Sequence, residues 1–280
     1  MTTLQPLTFG NTDNHQNPLA ILVHGFPDTP STWRYLGPQL ADHGYRVVAP
    51  FLPGYGSRAA GPITVGTYVR HILATYDSYQ GDDRALLVGH DWGANAAYGV
   101  VSVRPNAFAR LITLAVPPTA AIAEGMFSYR QLRRSFYVWL IQQVGIAEAA
   151  LLREGFWEAL WSDWSPGYDA REDLAQVTVH INPDTIEGVI SPYRSLNPDY
   201  VDPDAAAEAE ATLNLPALPT LFLHGANDGA IGVELLTEVD RYLPGAGSSF
   251  EIVNEVGHFL HLEAPDIIWR KIKAWLDGRR

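Results

Sequence analysis

The stretch that decides the fold is Val88-Gly89-His90-Asp91-Trp92-Gly93-Ala94, which follows a short apolar run and opens a helical pattern. Small residues two positions before and two positions after Asp91 permit a sharp turn from a strand into a helix. Such a turn raises the Asp91 side chain above the sheet, and the positive end of the following helix favours its negative charge. An aspartate that only caps the helix is the alternative interpretation. The pattern predicts a nucleophile elbow that carries a carboxylate.

Short apolar runs alternate with helical patterns on both sides of this turn. The predicted strands are Leu19–His24, Arg46–Ala49, Ala85–Val88, Leu111–Val116, Pro219–His224 and Phe250–Val253. The predicted helices are Ser31–Asp42, Val65–Tyr79, Ala94–Val103, Val233–Leu243 and Pro265–Leu276. Because the apolar runs are continuous, their strands should be buried on both faces. We therefore expect an α/β fold with a mostly parallel sheet flanked by helices.

The middle of the chain shows no clear buried-strand run and is rich in tryptophan, tyrosine, leucine and alanine. Helical spacing fits much of it. We expect residues 117–211 to form a helical insertion, or cap, and residues 1–116 and 212–280 to form the sheet domain. Proline-rich stretches mark both boundaries, at Pro117-Pro118 and at Leu215-Pro216-Ala217-Leu218-Pro219.

Two motifs after later predicted strands supply an acid and a histidine. The first is His224-Gly225-Ala226-Asn227-Asp228, and the second is Gly257-His258-Phe259. Together with Asp91 they follow the chain order nucleophile, acid, histidine of an α/β-hydrolase triad. A helix-starting loop carboxylate at Asp228 and a core histidine at His258 are the alternatives.

The loop His24-Gly25-Phe26-Pro27-Asp28 also follows a predicted strand. The backbone N–H of Phe26 could join that of Trp92 in binding an oxyanion. A simple tight turn is the alternative interpretation. His24, His90 and His224 each lie beside a glycine at a strand end, and we expect packing or turn-stabilising roles for them.

Composition excludes several classes of function. The 280 residues carry a formal charge of −12, which disfavours nucleic-acid and membrane-surface roles. The chain has no cysteine, so disulfides, thiolate metal sites and a cysteine nucleophile are excluded. Neither a leader pattern in Met1–Gly10 nor an apolar run of membrane-spanning length is visible. We expect a cytoplasmic protein.

Together these motifs resemble the α/β-hydrolase superfamily and, within it, the epoxide hydrolases, whose nearest relatives are haloalkane dehalogenases. The stretches that carry the resemblance are His24-Gly25-Phe26-Pro27, Gly54-Tyr55-Gly56, Gly89-His90-Asp91-Trp92-Gly93, Asp228 and Gly257-His258-Phe259. One departure is Phe51 and Pro53, which stand where the family usually has an acidic residue and an arginine. That departure puts a supporting salt bridge or the loop conformation in doubt.

The resemblance implies two tyrosines in the insertion that bind the epoxide oxygen. Tyr137, in Ser135-Phe136-Tyr137-Val138-Trp139, resembles the first, and Tyr193, in Pro192-Tyr193-Arg194, resembles the second. The chain contains 13 tyrosines, and Tyr129 and Tyr168 also lie in the insertion.

The implied activity is hydrolysis of a small apolar epoxide to a vicinal diol through an alkyl ester on Asp91. His258, oriented by Asp228, would activate water, and the N–H groups of Phe26 and Trp92 would hold the oxyanion. No metal or organic cofactor is expected, and the expected partners are substrate and water. A monomer and a homodimer are both compatible with the sequence.

Two other functions remain open at this point. A haloalkane dehalogenase would use the same aspartate and bind halide through indole N–H groups, from Trp92 and a second tryptophan. The candidates for that second donor are Trp139, Trp157, Trp161 and Trp164. Phe26, where many dehalogenases carry asparagine, and the two tyrosines argue against this. A non-catalytic ligand-binding protein on the same fold is the third possibility, although all three triad positions are filled.

Overall fold

The computed structural model describes residues 4–56, 58–197 and 199–278, with the side chains of residues 123 and 124 left undescribed. Its central sheet has seven strands in the order β1-β3-β2-β4-β5-β6-β7. The strands are β1 (Leu7–Phe9), β2 (Leu19–Val23), β3 (Arg46–Ala49), β4 (Ala85–His90), β5 (Phe108–Leu114), β6 (Thr220–Gly225) and β7 (Ser249–Val253).

The sheet is parallel except at its β1 edge, where β1 pairs antiparallel with β3. Every residue of β2, β3, β4 and β6 is buried, which follows from helices covering both faces. The predicted α/β fold with a mostly parallel sheet is confirmed. Strand β1 was not predicted, because its three residues are partly exposed and form no continuous apolar run.

Helices of the sheet domain form two layers. Helices α2 (Val65–Ser78) and α3 (Trp92–Val103) pack on one face of the sheet. Helices α1 (Leu36–Asp42) and α13 (Pro265–Leu276) pack on the other. A short helix, α12 (Leu260–Glu263), precedes α13. Successive residues of each central strand therefore contribute to opposite halves of the core.

One predicted helix is wrong and another begins differently. Val233–Leu243 forms two 3₁₀ turns, Val233–Leu236 and Val239–Tyr242, rather than one helix. Between them Glu238 adopts a φ of 62°, a left-handed conformation that interrupts a right-handed helix. The stretch predicted from Ser31 starts with a separate 3₁₀ turn, Pro30–Arg34, before α1.

In the described residues of the segment between β5 and β6, every regular element is helical. They are α4 (Thr119–Gly125), α5 (Tyr129–Arg134), α6 (Phe136–Ile141), α7 (Ile146–Leu151), α8 (Phe156–Trp164), α9 (Arg171–Thr178), α10 (Ile186–Arg194) and α11 (Ala206–Ala211), with a 3₁₀ turn at Pro203–Ala205. We call this segment the helical insertion. Helix α11 packs against α2 and α3, where Arg70 Nε donates to Glu208 Oε1 at 2.8 Å. None of the helices in the described parts of the chain is long and apolar enough to cross a membrane.

Candidate active site

Asp91 lies at the turn between β4 and α3, with φ 52° and ψ −122°. This positive φ is uncommon for a residue with a side chain and marks a strained turn. A Cβ on Gly89 would lie 2.5 Å from the carbonyl oxygen of Gly93, and one on Gly93 would lie 2.2 Å from that of Val23. Only glycine fits at these two positions, so the small residues around Asp91 are what allow the sharp turn.

The structure brings the three predicted triad residues together. His258 Nδ1 lies 2.9 Å from Asp228 Oδ2, and His258 Nε2 lies 3.6 Å from Asp91 Oδ2. Asp228 Oδ1 accepts hydrogen bonds from the N–H groups of Ala230 (2.8 Å) and Ile231 (2.9 Å). Its second oxygen is thereby directed at the imidazole, which fixes the ring between the two carboxylates.

The imidazole of His258 lies between the carboxyl groups of Asp228 and Asp91. Burial alone would lower the pKa of His258, but the charges of Asp228 and Asp91 and their hydrogen bonds raise it to about 10. Burial would raise the pKa of Asp228, yet the neighbouring His258 holds it below its ordinary value. His258 is therefore protonated at neutral pH.

Of the two amides proposed for an oxyanion, one contacts the Asp91 carboxylate and the other belongs to the residue after Asp91. Phe26 N–H donates to Asp91 Oδ1 at 2.8 Å. Trp92 is the first residue of α3, where a backbone N–H has no acceptor within its own helix. Both groups are thus available to an oxygen that develops negative charge on this carboxyl carbon.

Tyr137 on α6 and Tyr193 on α10 meet above the nucleophile. Their rings are nearly perpendicular, with centroids 5.5 Å apart. Tyr193 also packs against the rings of Phe26 (4.8 Å) and Trp92 (5.0 Å). Burial, with Asp91 nearby, raises the pKa of Tyr137 and of Tyr193, so both phenols hold their protons.

A cavity of about 300 Å³ lies against these groups. Its lining is mostly apolar and comprises Asp91, Trp92, Asn95, Val116, Thr119, Ile122, Met126, Phe127, Gln131, Ser135, Tyr137, Val138, Tyr193, Leu196, Ala230 and Ile231. The two other tyrosines noted in the insertion lie elsewhere. Tyr129 is 76% exposed, and the Tyr168 hydroxyl donates to Asp173 Oδ2 at 2.5 Å. The carboxylate and the two phenols are therefore the chemically active side chains that face this cavity together.

With this geometry established, comparison with known proteins identifies the family. The profile of the Alpha/beta hydrolase family matches residues 20–270. The chain belongs to this family. A solved structure, an epoxide hydrolase from an endophytic Streptomyces, superposes with a TM-score of 0.73 at 26% identity, covering 94% of this chain and 89% of that one.

Two curated relatives extend the comparison of this α/β hydrolase over nearly its whole length. It is 27% identical over 273 residues to the AB hydrolase superfamily protein YfhM of Bacillus subtilis, covering 94% of this chain and 91% of the relative. It is 26% identical over 302 residues to epoxide hydrolase A of Mycobacterium tuberculosis, covering 93% and 91%. The sequence resemblance to this superfamily is therefore confirmed.

A buried polar network in this α/β hydrolase holds the two tyrosine helices together. The buried Arg194 side chain donates from Nε to the carbonyl of Ile141 at 3.2 Å and from Nη2 to Glu148 Oε1 at 2.6 Å. Gln142 Nε2 donates to the carbonyl of Tyr193 at 2.7 Å. These bonds join α10 to α6 and α7. Sequence analysis missed them, although Arg194 stands directly after the predicted tyrosine.

The end of α8 fixes the two loops that carry the acid and the histidine. The carbonyl oxygen of Trp164 accepts from Gly229 N–H (3.1 Å) and from His258 N–H (3.0 Å). The hydroxyl of Ser165 accepts from Phe259 N–H at 3.1 Å. Backbone groups make most of these contacts, and the sequence carries no signal for them.

The histidines at strand ends have structural partners. His24 Nε2 accepts from Leu52 N–H at 3.1 Å, and His90 Nε2 donates to the carbonyl of His258 at 3.0 Å. Burial lowers the pKa of His24 and of His90 to about 3, so both remain neutral. His224 Nδ1 lies 2.8 Å from the carbonyl oxygen of Ala115. These contacts agree with the packing roles expected for them.

The loop that departs from the family pattern is held without a salt bridge at Phe51 and Pro53. The Phe51 ring packs against that of His180, with centroids 5.0 Å apart. Gly54 has a φ of 101°, and a Cβ there would lie 2.5 Å from the carbonyl oxygen of Gly188 in α10. Ring packing and this close backbone approach thus position the loop against the insertion.

Potential metal-ligating side chains converge once in the described residues, beside His258. Atoms of Asp28, His90 and His261 lie within 4.8 Å of one another, and all three residues are buried. A carboxylate and two imidazoles are donors that suit zinc or iron. None of the three lines the cavity at Asp91.

Proposed function

We propose that this α/β hydrolase converts epoxides to vicinal diols through an alkyl ester on Asp91, with residues 117–211 as its cap. The observation that carries the proposal is the pair of adjacent phenols, Tyr137 and Tyr193, that faces the same cavity as the Asp91 carboxylate. An epoxide leaves as an alkoxide and therefore needs an acid, which a phenol supplies. The M. tuberculosis relative named epoxide hydrolase supports the same activity.

Ring opening uses the carboxylate and the phenols. An Asp91 oxygen attacks one epoxide carbon and breaks its bond to the epoxide oxygen, which remains on the neighbouring carbon. The departing alkoxide takes a proton from the Tyr137–Tyr193 pair. The enzyme then holds an alkyl ester at Asp91, a phenolate and the protonated His258.

Ester formation changes the state of His258. The negative charge of Asp91, one of the two charges that keep His258 protonated, is lost in the ester. The pKa of His258 therefore falls, and its proton passes to the phenolate. A neutral imidazole, still oriented by Asp228, is then ready to act as a base.

Hydrolysis returns the enzyme to its starting state. His258 removes a proton from water, whose oxygen attacks the ester carbonyl of Asp91. The N–H groups of Phe26 and Trp92 hold the resulting oxyanion. The intermediate collapses, the diol oxygen takes the proton of the new carboxylic acid, and Asp91 and His258 regain their charges.

Turnover of styrene oxide tests the proposal, with diol measured by chromatography. We expect diol from the wild type and a loss of at least about 10⁴-fold for Asp91→Asn, which cannot form the ester. Absence of diol from a folded wild-type enzyme would contradict the proposal.

Halide displacement has less support in this site. A dehalogenase needs a second ring N–H donor, in addition to that of Trp92, to hold the halide beside the aspartate. Trp92 is the one tryptophan in the described lining of the cavity. Chloride or bromide release from a haloalkane by the wild type is the measurement that would favour this alternative.

A further inference from the structure

The cavity at Asp91 continues into a second chamber of about 440 Å³. The second chamber is lined by Met126, Phe127, Ser135, Val138, Trp139, Gln142, Leu196 and Asn197. Five of these residues also line the cavity at Asp91, namely Met126, Phe127, Ser135, Val138 and Leu196. Because they share these walls, the two spaces are parts of one channel.

The second chamber follows one face of α6. Ser135, Val138 and Gln142 are spaced three and four residues apart, so they lie on the same side of the helix. At about 1.5 Å of rise per residue, the distance from the first to the last is roughly 10 Å. This wall of the channel therefore runs along α6, from Ser135 towards Gln142.

Two polar side chains of its wall, Ser135 and Gln142, already have hydrogen-bond partners within the protein. The Ser135 hydroxyl accepts from Gln131 Nε2 at 2.8 Å. Gln142 Nε2 donates to the carbonyls of Val138 (3.3 Å) and Tyr193 (2.7 Å). The walls of the second chamber therefore present mainly aliphatic and aromatic surface to a ligand.

Large apolar side chains also remain exposed at its outer part. Phe127 is 73% exposed, Leu196 57% and Trp139 49%. Clustered apolar exposure of this kind is a feature of interaction surfaces, ligand-binding grooves among them. Its continuity with the cavity at Asp91 points to the substrate itself as the occupant.

We propose that the second chamber is a subsite for a long apolar chain attached to the epoxide. This inference rests on the proposed function and adds a substrate class, epoxides with an extended alkyl or alkenyl substituent. The reacting ring lies between Asp91 and the two tyrosines, and the chain runs past Val138 towards Trp139. Compact epoxides leave this surface unfilled and are poorer substrates.

A homologous series of terminal epoxides, from epoxybutane to epoxydodecane, tests this directly. Burial of one methylene contributes about 0.8 kcal/mol, so kcat/KM should rise about fourfold per added methylene. The rise should level off once the chain fills the second chamber. A profile that is flat or falls with chain length overturns the subsite but leaves epoxide hydrolysis intact, whereas absence of turnover on every member overturns both.

A matched pair of variants on α6 locates the effect. Val138→Trp fills the passage between the two spaces, so the ratio of kcat/KM for epoxydecane to that for epoxybutane should fall at least tenfold. Leu140→Trp adds the same ring on the same helix, at a position that lines neither space. This variant should keep the wild-type ratio of the two kcat/KM values.

Leu196 also lines both spaces. If Val138→Trp fails to fold, Leu196→Trp should lower the ratio of kcat/KM for epoxydecane to that for epoxybutane in the same way. An unchanged ratio in a folded channel variant, verified by circular dichroism, overturns the proposal.

Discussion

The triad and the tyrosine pair are held in place by different means. The loops that carry Asp91, Asp228 and His258 follow parallel strands, and backbone hydrogen bonds, including those to the Trp164 carbonyl at the end of α8, position them. Tyr137 and Tyr193 lie on two short helices that side-chain bonds hold together. One region is positioned by chain geometry and the other by a few side chains. Substitutions in the two regions should therefore slow different steps of the reaction.

The largest effect should come from the triad histidine. His258→Ala leaves the nucleophile and the phenols in place, so the ester on Asp91 should form but persist. Steady turnover should fall on the order of 10³-fold or more. Intact-protein mass spectrometry should show an added mass equal to that of the substrate. Normal turnover of this variant would exclude His258 as the base.

The tyrosines should affect the opposite half of the reaction. Replacing both Tyr137 and Tyr193 by phenylalanine removes the acid, and the rate of ester formation should fall on the order of 10²–10⁴-fold. Each single replacement should cost less if the phenols share the role. Rapid-quench measurement of the ester separates this loss from slow hydrolysis. Wild-type ester formation in a folded double variant would require another acid in the insertion.

A smaller effect should follow from loosening the helix pair without touching the phenols. Arg194→Met breaks the bonds to Ile141 and Glu148, so the two hydroxyls should lose their mutual alignment. Misplacement of this kind should slow ester formation by about tenfold to a hundredfold, with ester hydrolysis unchanged.

Arg171→Met is the matched control, since it removes an exposed pair with Asp169 in the same insertion. That control should alter neither rate nor stability measurably. Equal slowing of ester formation and hydrolysis in Arg194→Met would mean general unfolding of the insertion rather than misaligned phenols.

Features that depend on local sequence signals were predicted from the sequence. Arg46–Ala49 and Pro265–Leu276 were predicted with the bounds that the structure has, because continuous burial and helical periodicity are local signals. The glycines at 89 and 93 likewise mark the elbow, since each avoids a backbone collision.

What could not be predicted depends on distant partners. Strand β1 exists through pairing with β3, and its three residues carry too little pattern of their own. The polar network of Arg194 and the double acceptance by the Trp164 carbonyl connect residues far apart in the chain. Glu238 divides a predicted helix by adopting a left-handed conformation. Glycine and asparagine are the residues that usually adopt it, so a glutamate gives no sign of it in the sequence.

The central claim is that Asp91 forms a covalent ester, and the path of one oxygen atom tests it most directly. A single turnover in heavy-oxygen water, with enzyme in excess over epoxide, separates ester hydrolysis from direct attack by water. In the two-step route, water attacks the carbonyl carbon of the ester, so the diol should be unlabelled and the peptide containing Asp91 labelled. Labelled diol in that first turnover would contradict the account, because His258 would then deliver water to the epoxide itself.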